Sequence, residues 1–343
     1  MRGTIATIAA IALAALAMAM MPADADNITI TVGPGGQYQR VSEAVDAANQ
    51  DPDPANYYTI NLAPQVYSND FPEVYRPMTI QADPAQAPNR ATLQATIPLP
   101  NQKGIILTFS SLHIARLVLT GAAIDEGLGG NGAAIRDQNP ENTPASLIVD
   151  DSDIHDNQAG ILQGDDILET VTITNSTFRN NGTSHPHAVY IDEANSLTVS
   201  NSLFCGQLVV HDIKSRAAQT YIFNNLLYDG ADGPPDSGCR TGSTSFAVDI
   251  ANGGIFVLSG NQIIQGDASP NETMVIYGEE GLVYPDNSLL VEQNTFTNTK
   301  SSSGPTGVWD YSCTPMTLIG NSFTGLVFPI YPPSGCTVGG EAP

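Results

Sequence analysis

Basic side chains are scarce in this 343-residue chain: 12 Lys and Arg stand against 35 Asp and Glu, with 5 His. Two of the few, Lys214 and Arg216, are near neighbours, and Tyr190 and Asp192 precede them at the same 24-residue interval. His187 and His211 repeat that interval, Asp249 follows downstream, and Arg136 lies upstream. A phenol, an imidazole or a neutral amine can take or return a proton, and a guanidinium or ammonium can neutralise a carboxylate. A lysine that acts as a base must be partly neutral, so neighbouring Arg216 or desolvation under residues 230–245 would favour that role for Lys214. Asp249 pulls the other way. Direct contact with it would leave Lys214 charged, binding a carboxylate, with Tyr190 or a His as the base. Plainer roles stand beside these: Tyr190 can cover its neighbours with its ring, and Asp192 and Arg216 can form a structural ion pair.

The interval matters because it is the period of the whole chain. Successive segments read VDDSDI, ITNSTF, VSNSLF, IFNNLL, LSGNQII, EQNTF and IGNSF. Their polar anchors are Ser152, Ser176, Ser202, Asn225, Asn261, Asn294 and Asn321, each followed two positions later by a large apolar residue. Steps near 24 residues fit one coil of three short strands, paired with the coils above and below at about 4.8 Å. The fold expected is all-β: a single right-handed parallel β-helix in which equivalent residues stack in columns. The two longest steps predict loop insertions at 230–245 and 266–272. A second strand in each coil aligns Ile135, Ile161, Val189, Ile213, Val248, Val275 and Val308 as an inward column. The next residue of each then points outward: Arg136, Leu162, Tyr190, Lys214, Asp249, Ile276 and Trp309. Asp192 should stack on Arg216, and His187 on His211.

The ends and the composition fit this plan. Residues 1–25 read as a signal peptide, with Arg2, an apolar run from Ile8 to Met21, and the small-x-small sequence Ala23-Asp24-Ala25. That run falls short of the roughly 20 residues of a bilayer span, so residues 26–343 are expected to be secreted, soluble and not inserted in a membrane. Val41, Ala44, Val45 and Ala48 lie at helical spacing and predict a short helix plugging the base of the solenoid. Strands around Tyr58–Leu62 and Met78–Ile80 begin the stack, and Pro329, Pro332 and Pro333 with Cys336 read as a cap at the far end. A net charge of −23 disfavours nucleic acid and anionic lipid as partners, since both would be repelled at long range. A monomer is expected. Four cysteines in an exported chain favour two disulfides, and local pairing of Cys205 with Cys239 and Cys313 with Cys336 is chosen among three connectivities. The acidic group Asp150, Asp151 and Asp153, with Asp165 and Asp166, offers oxygen ligands suited to Ca2+, although no cofactor is required by the chemistry above.

A family resemblance rests on particular stretches. ITVGPGGQYQRVSEAVDAAN followed by YTINLAPQVY resembles the opening of pectin-lyase-like right-handed β-helix proteins. GNGAAIRD, HDNQAGIL, SHPHAVYI, HDIKSRAAQTYIFNN and PDNSLLVEQNTF are similar to exported bacterial β-helix proteins. That superfamily holds lyases, hydrolases, esterases, epimerases and non-catalytic adhesive proteins, so function must come from the site. The Gly-His-Gly of polygalacturonase-like hydrolases and the Asp motifs of pectin methylesterases are not recognisable, whereas Tyr, His, Lys and Arg together are what lyases use. The resemblance therefore implies a polysaccharide lyase that breaks an acidic, uronate-containing polysaccharide by β-elimination. That reaction needs the uronate carboxylate neutralised, the C5 proton removed and the leaving oxygen at C4 protonated. Lys214 is then the base and Tyr190 the acid, or the two exchanged, while Arg136, Arg216, His187 and His211 handle the carboxylate. The rival readings are a glycoside hydrolase using Asp192 and Asp249, and a non-catalytic glycan-binding or envelope protein.

Overall fold

The repeated motif folds as a corner. One short strand ends, a single residue adopts a left-handed conformation, and the next strand leaves on a new heading. Asn175, Asn201 and Asn224 fill this corner with φ of 51°, 50° and 55°, a region that Asn tolerates better than most residues. The residue after each corner turns inward and bonds along the stack. The backbone N–H of Ser152 donates to Ser176 Oγ at 3.1 Å, that of Ser176 to Ser202 Oγ at 3.1 Å, and that of Ser202 to Asn225 Oδ1 at 2.9 Å. Asn225, Asn261 and Asn294 continue to the Oδ1 of Asn261, Asn294 and Asn321 at 2.9, 2.9 and 3.0 Å. All seven anchors predicted from the sequence form this one ladder.

In this computed structural model residues 26–182, 187–209, 211–301, 304–331, 336 and 338–340 are described; the expected signal peptide lies outside them. Every strand pairing among them is parallel, in sheets of twelve, ten and ten strands whose members recur every third strand. Sheet 1 runs from Asn27–Val32 to Val338–Gly340, sheet 2 from Val66–Ser68 to Ser322–Thr324, and sheet 3 from Glu73–Val74 to Phe328–Tyr331. This is the expected parallel β-helix. The inward column from Ile135 to Val308 is fully buried, and rings stack where Phe178 meets Phe204 at 4.9 Å.

Helix α1, Val41–Asn49, closes the base with Val41, Ala44, Val45 and Ala48 buried. Its first free N–H groups are satisfied from a distance: Asp70 accepts from Val41 N at 2.6 Å and from Ser42 N at 3.1 Å. The far end differs from expectation. Pro329 lies within the strand Phe328–Tyr331, whose Phe328 and Tyr331 stay 43% and 41% exposed; Pro332 and Pro333 are outside the described residues. Both predicted disulfides are present, Cys205–Cys239 and Cys313–Cys336, with Cα separations of 5.7 and 5.1 Å.

One insertion, between Asp229 and Val248, is where the spacing put it. The other is not at 266–272, which is an ordinary turn between sheets 2 and 3. The extra residues are 278–287, between strands Thr273–Tyr277 and Ser288–Glu292. The anchors fix the length of a coil but not which of its three turns holds the surplus.

Several buried carboxyls have a consequence for stability. Burial pushes Asp229 up to about 8; burial and nearby Asp229 raise Asp212, and burial and Glu169 raise Asp137. Each holds a proton when folded that it releases on unfolding, so stability falls as pH rises above the ordinary carboxyl range. Burial lowers His113, His155 and His187 below the usual 6.5, which has the opposite sign and acts only below that pH. Between about pH 6.5 and 8 the carboxyls dominate. The melting temperature is expected to fall across that window, with a slope of up to about 1.4 kcal/mol per pH unit for each carboxyl. Asp229→Asn should flatten it; a wild-type melting temperature constant from pH 6.5 to 8 would contradict the assignment.

Candidate functional site

Sheet 3 presents the candidate groups because its central strands are three residues long. Val189–Ile191, Ile213–Ser215 and Val248–Ile250 pair in register; their first residues enter the core, so alternation turns Tyr190, Lys214 and Asp249 outward. The rest of the predicted column follows, with Leu162 and Arg136 on one side and Ile276 and Trp309 on the other.

Outward does not mean exposed here. The Lys214 side chain is 10% exposed and that of Asp249 1%. The cover is residues 278–287, not the 230–245 loop. Gly278 enters this segment at φ 72°, a conformation glycine adopts without strain. Glu280 N then bonds Ala251 O at 3.0 Å and Val283 N bonds Asn252 O at 3.0 Å. Tyr284 donates its hydroxyl to the Arg216 carbonyl. These ties bring Glu280 down onto the cationic pair.

Arg216 holds Glu280 with two bonds, Nε to Oε2 at 2.7 Å and Nη2 to Oε1 at 2.9 Å. Lys214 Nζ adds a third to Oε1 at 2.9 Å, and it also donates to Asp249 Oδ2 at 2.6 Å. Arg216 draws the Glu280 carboxyl down to about 2, with help from Lys214. Burial alone would lower the Lys214 pKa, but Asp249 and Glu280 outweigh it and the net shift is upward. Burial would raise Asp249; His211 and Lys214 outweigh that and keep it ionised. Both contacts favour the charged form of Lys214 over the neutral amine. The direct Asp249 contact is the condition that the sequence attached to the carboxylate-binding role of Lys214.

Tyr190 belongs to the same cluster. Its hydroxyl oxygen accepts from Arg216 Nη1, and the guanidinium lies 5.2 Å from its ring centroid. Asp192 Oδ1 is 3.4 Å from Arg216 Nη1, a loose contact. Burial, with Asp165 and Glu280, pushes the Asp192 carboxyl up. His187 and His211 stack with centroids 4.6 Å apart, and His187 stacks on Tyr190 at 5.4 Å. Burial, then His211, drives His187 down to about 2, and its Nδ1 accepts from His211 N at 3.2 Å. Neutral His187 therefore carries its proton on Nε2 and can donate but not accept there. His211 Nε2 faces Asp249 Oδ2 at 3.4 Å.

Two expected participants fall outside the cluster. Arg136 is two coils from Tyr190, with Leu162 between them, about 10 Å along the stack. Burial lowers its pKa, and its Nε has no hydrogen-bond partner among the described residues. The acidic group proposed for Ca2+ is dispersed onto other partners: Asp150 accepts from Thr174 and Asn175, Asp151 pairs with Arg90, and Asp153 with Arg179. Among the described residues no three His, Cys, Asp or Glu side chains are arranged to hold a metal.

Glu280 and Tyr284 were not singled out in the sequence. They sit in an insertion outside the repeat, so no column places them. The one available signal was an acidic pair, Glu279-Glu280, beside Gly278 and Gly281.

The chain matches no protein-family model and no curated protein. Among solved structures it is similar to the pectin methylesterase of Aspergillus niger, in deglycosylated and penultimately deglycosylated forms. Each comparison has a TM-score of 0.45 and 12% identity, covering 86% of this chain and 85% of that one.

Proposed function

We propose that this chain is an exported polysaccharide lyase acting on a uronate-containing glycan. The observation that supports the reading is the seat made by Arg216 and Lys214, filled by the carboxylate of Glu280 with three short charged bonds. Paired N–H groups of a guanidinium match the two oxygens of a carboxylate. A uronate that displaced Glu280 would find its carboxylate neutralised by two fixed cations, and Tyr190 beside it.

Roles follow from the electrostatics. Lys214 and Arg216 bind the uronate carboxylate and stabilise the charge that spreads onto it as the C5–H bond breaks. Arg216 also stabilises negative charge on the Tyr190 oxygen, which suits Tyr190 to take the C5 proton. The C5–H electrons form the C4–C5 double bond, the C4–O bond breaks, and Tyr190 returns the proton to the leaving oxygen. A hydrolase built on Asp192 and Asp249 has less support. The Asp249 side chain is 1% exposed and its Oδ2 is engaged by Lys214 and His211. Two disulfides support an oxidising compartment outside the cytoplasm.

A panel of acidic polysaccharides, followed both by ultraviolet absorbance of unsaturated uronate and by reducing ends, tests the reading. A lyase gives both signals, a hydrolase only reducing ends, and a binding protein neither. On the substrate so found, Tyr190→Phe is expected to slow turnover by roughly a hundredfold or more, the worth of one acid–base group. Full turnover in Tyr190→Phe would remove Tyr190 from the chemistry.

A further inference from the structure

We infer that Trp309, Tyr311 and Tyr331 form a second glycan subsite, which takes an uncharged or esterified sugar while the Arg216–Lys214 seat takes a uronate. The inference rests on the glycan reading above and adds a charge pattern to it. Trp309 stands in the same outward column as the seat: Lys214 pairs with Asp249, Asp249 with Ile276, and Ile276 with Trp309. Three coils at about 4.8 Å each put it roughly 14 Å from Lys214, a few pyranose units along the solenoid axis. A glycan strand that passes outside the buried Asp249 and Ile276 can therefore meet both places.

The three rings make a platform. Trp309 and Tyr311 stack with centroids 4.6 Å apart and planes within 6°, and Tyr331, opposite Trp309 on the next strand, meets it edge-on at 4.9 Å. Tyr311 and Tyr331 are 40% and 41% exposed. Clustered apolar surface of this kind marks a contact site. Trp309 and Tyr311 turn one face to each other, so the surface offered to the C–H face of a pyranose is the outer side of the exposed Tyr311 with the exposed Tyr331 beside it, each a flat apolar ring with a polar tip. The platform is also held in place. Ser312, next to Tyr311, bonds Asp310 Oδ1 through N at 2.8 Å and Oγ at 2.7 Å, and Cys313 is bridged to Cys336. Little ordering is left for a ligand to impose.

Charge separates the two places. Among the described residues cations lie over the rings of Tyr58 and Tyr190 only, and none over these three. Glu279 is instead close enough to Tyr311 to help burial push its phenol up. A carboxylate stacked here would come within range of Glu279, and among the described residues no cation lies over the three rings to offset the repulsion. A neutral or methyl-esterified sugar would not. The preferred strand thus carries a free uronate at the seat and an uncharged residue at the platform.

Trp309 is the only tryptophan of the chain, so its emission reports on the platform alone. The wild-type protein should be titrated with a neutral oligosaccharide, a fully ionised oligouronate and a partly methyl-esterified oligouronate. Saturable emission changes are expected with the neutral and the partly esterified ligands, the latter binding at least tenfold more tightly than either of the others. Tyr311→Ala should weaken the neutral ligand by up to about tenfold. Arg216→Ala should keep the neutral response while losing the extra affinity of the mixed ligand. No emission change with any of the three, in a protein that still produces unsaturated uronate, overturns the subsite and leaves the lyase reading intact. An equal response to the fully ionised oligouronate overturns the charge pattern. A neutral-ligand response in a protein that eliminates nothing keeps the subsite and removes the lyase reading.

Discussion

Replacing Arg216 with Ala is expected to lower kcat/KM on an acidic polysaccharide by about two to three orders of magnitude. The side chain supplies two of the three bonds that hold a carboxylate in the seat, and it also donates to the Tyr190 oxygen. Truncating one partner of a desolvated, hydrogen-bonded charge pair costs about 2–5 kcal/mol. Arg216→Lys should not restore the rate, because a point charge lacks the planar fork that engages both oxygens. Glu280→Ala should act in the opposite direction. On the proposed reading Glu280 would compete with the uronate for the seat, and an occupied fraction of sites lowers the apparent affinity in proportion, so KM is expected to fall several-fold. Initial rates of unsaturated-uronate formation against substrate concentration check both. An Arg216→Ala enzyme with half the wild-type kcat/KM would empty the seat of meaning. A raised KM in Glu280→Ala would make Glu280 part of substrate binding.

A loss of comparable size, in stability instead of rate, is expected for Asn261→Ala. Asn261 Oδ1 accepts from Asn225 N at 2.9 Å and from Asn225 Nδ2 at 3.0 Å, while its Nδ2 donates to Ile222 O at 2.9 Å. All of these groups are buried. Each buried polar group left without a partner costs about 1–3 kcal/mol, so the total is expected near 3–5 kcal/mol. That is a large share of the 5–15 kcal/mol by which typical domains are stable. Asn261→Ser should recover part of it. Ser176 holds an equivalent place, accepting from Ser152 N at 3.1 Å and donating to Thr174 O at 2.7 Å. Urea denaturation is the measurement, and a midpoint for Asn261→Ala within error of wild type would show that the ladder is not a source of stability.

The solenoid was legible because a strand of period two and a coil of fixed length write themselves into the spacing of Val189, Ile213 and Val248. The same spacing placed Tyr190 over Lys214 and Lys214 over Asp249, and it brought Asp192 to Arg216. Two disulfides followed from local pairing. What the spacing does not carry is the content of a loop. Glu280 reaches Lys214 across 66 residues and Arg216 across 64, at an offset the repeat does not predict. Without Glu280 the balance of charge on Lys214 could be stated only as a condition on Asp249. Arg136 shows the converse limit: it keeps its place in the column, yet two intervening steps of the stack put it beyond reach of the cluster.

The ladder also makes folding a matter of neighbours. Each link reaches only the adjacent coil, over 23 residues at its shortest and 36 at its longest, so no coil waits for a distant part of the chain. A coil that has formed offers an open edge on either side, and winding can begin at any of them and spread both ways. The bridges obey the same locality: Cys205–Cys239 and Cys313–Cys336 span 34 and 23 residues, so each can close once its own stretch has wound.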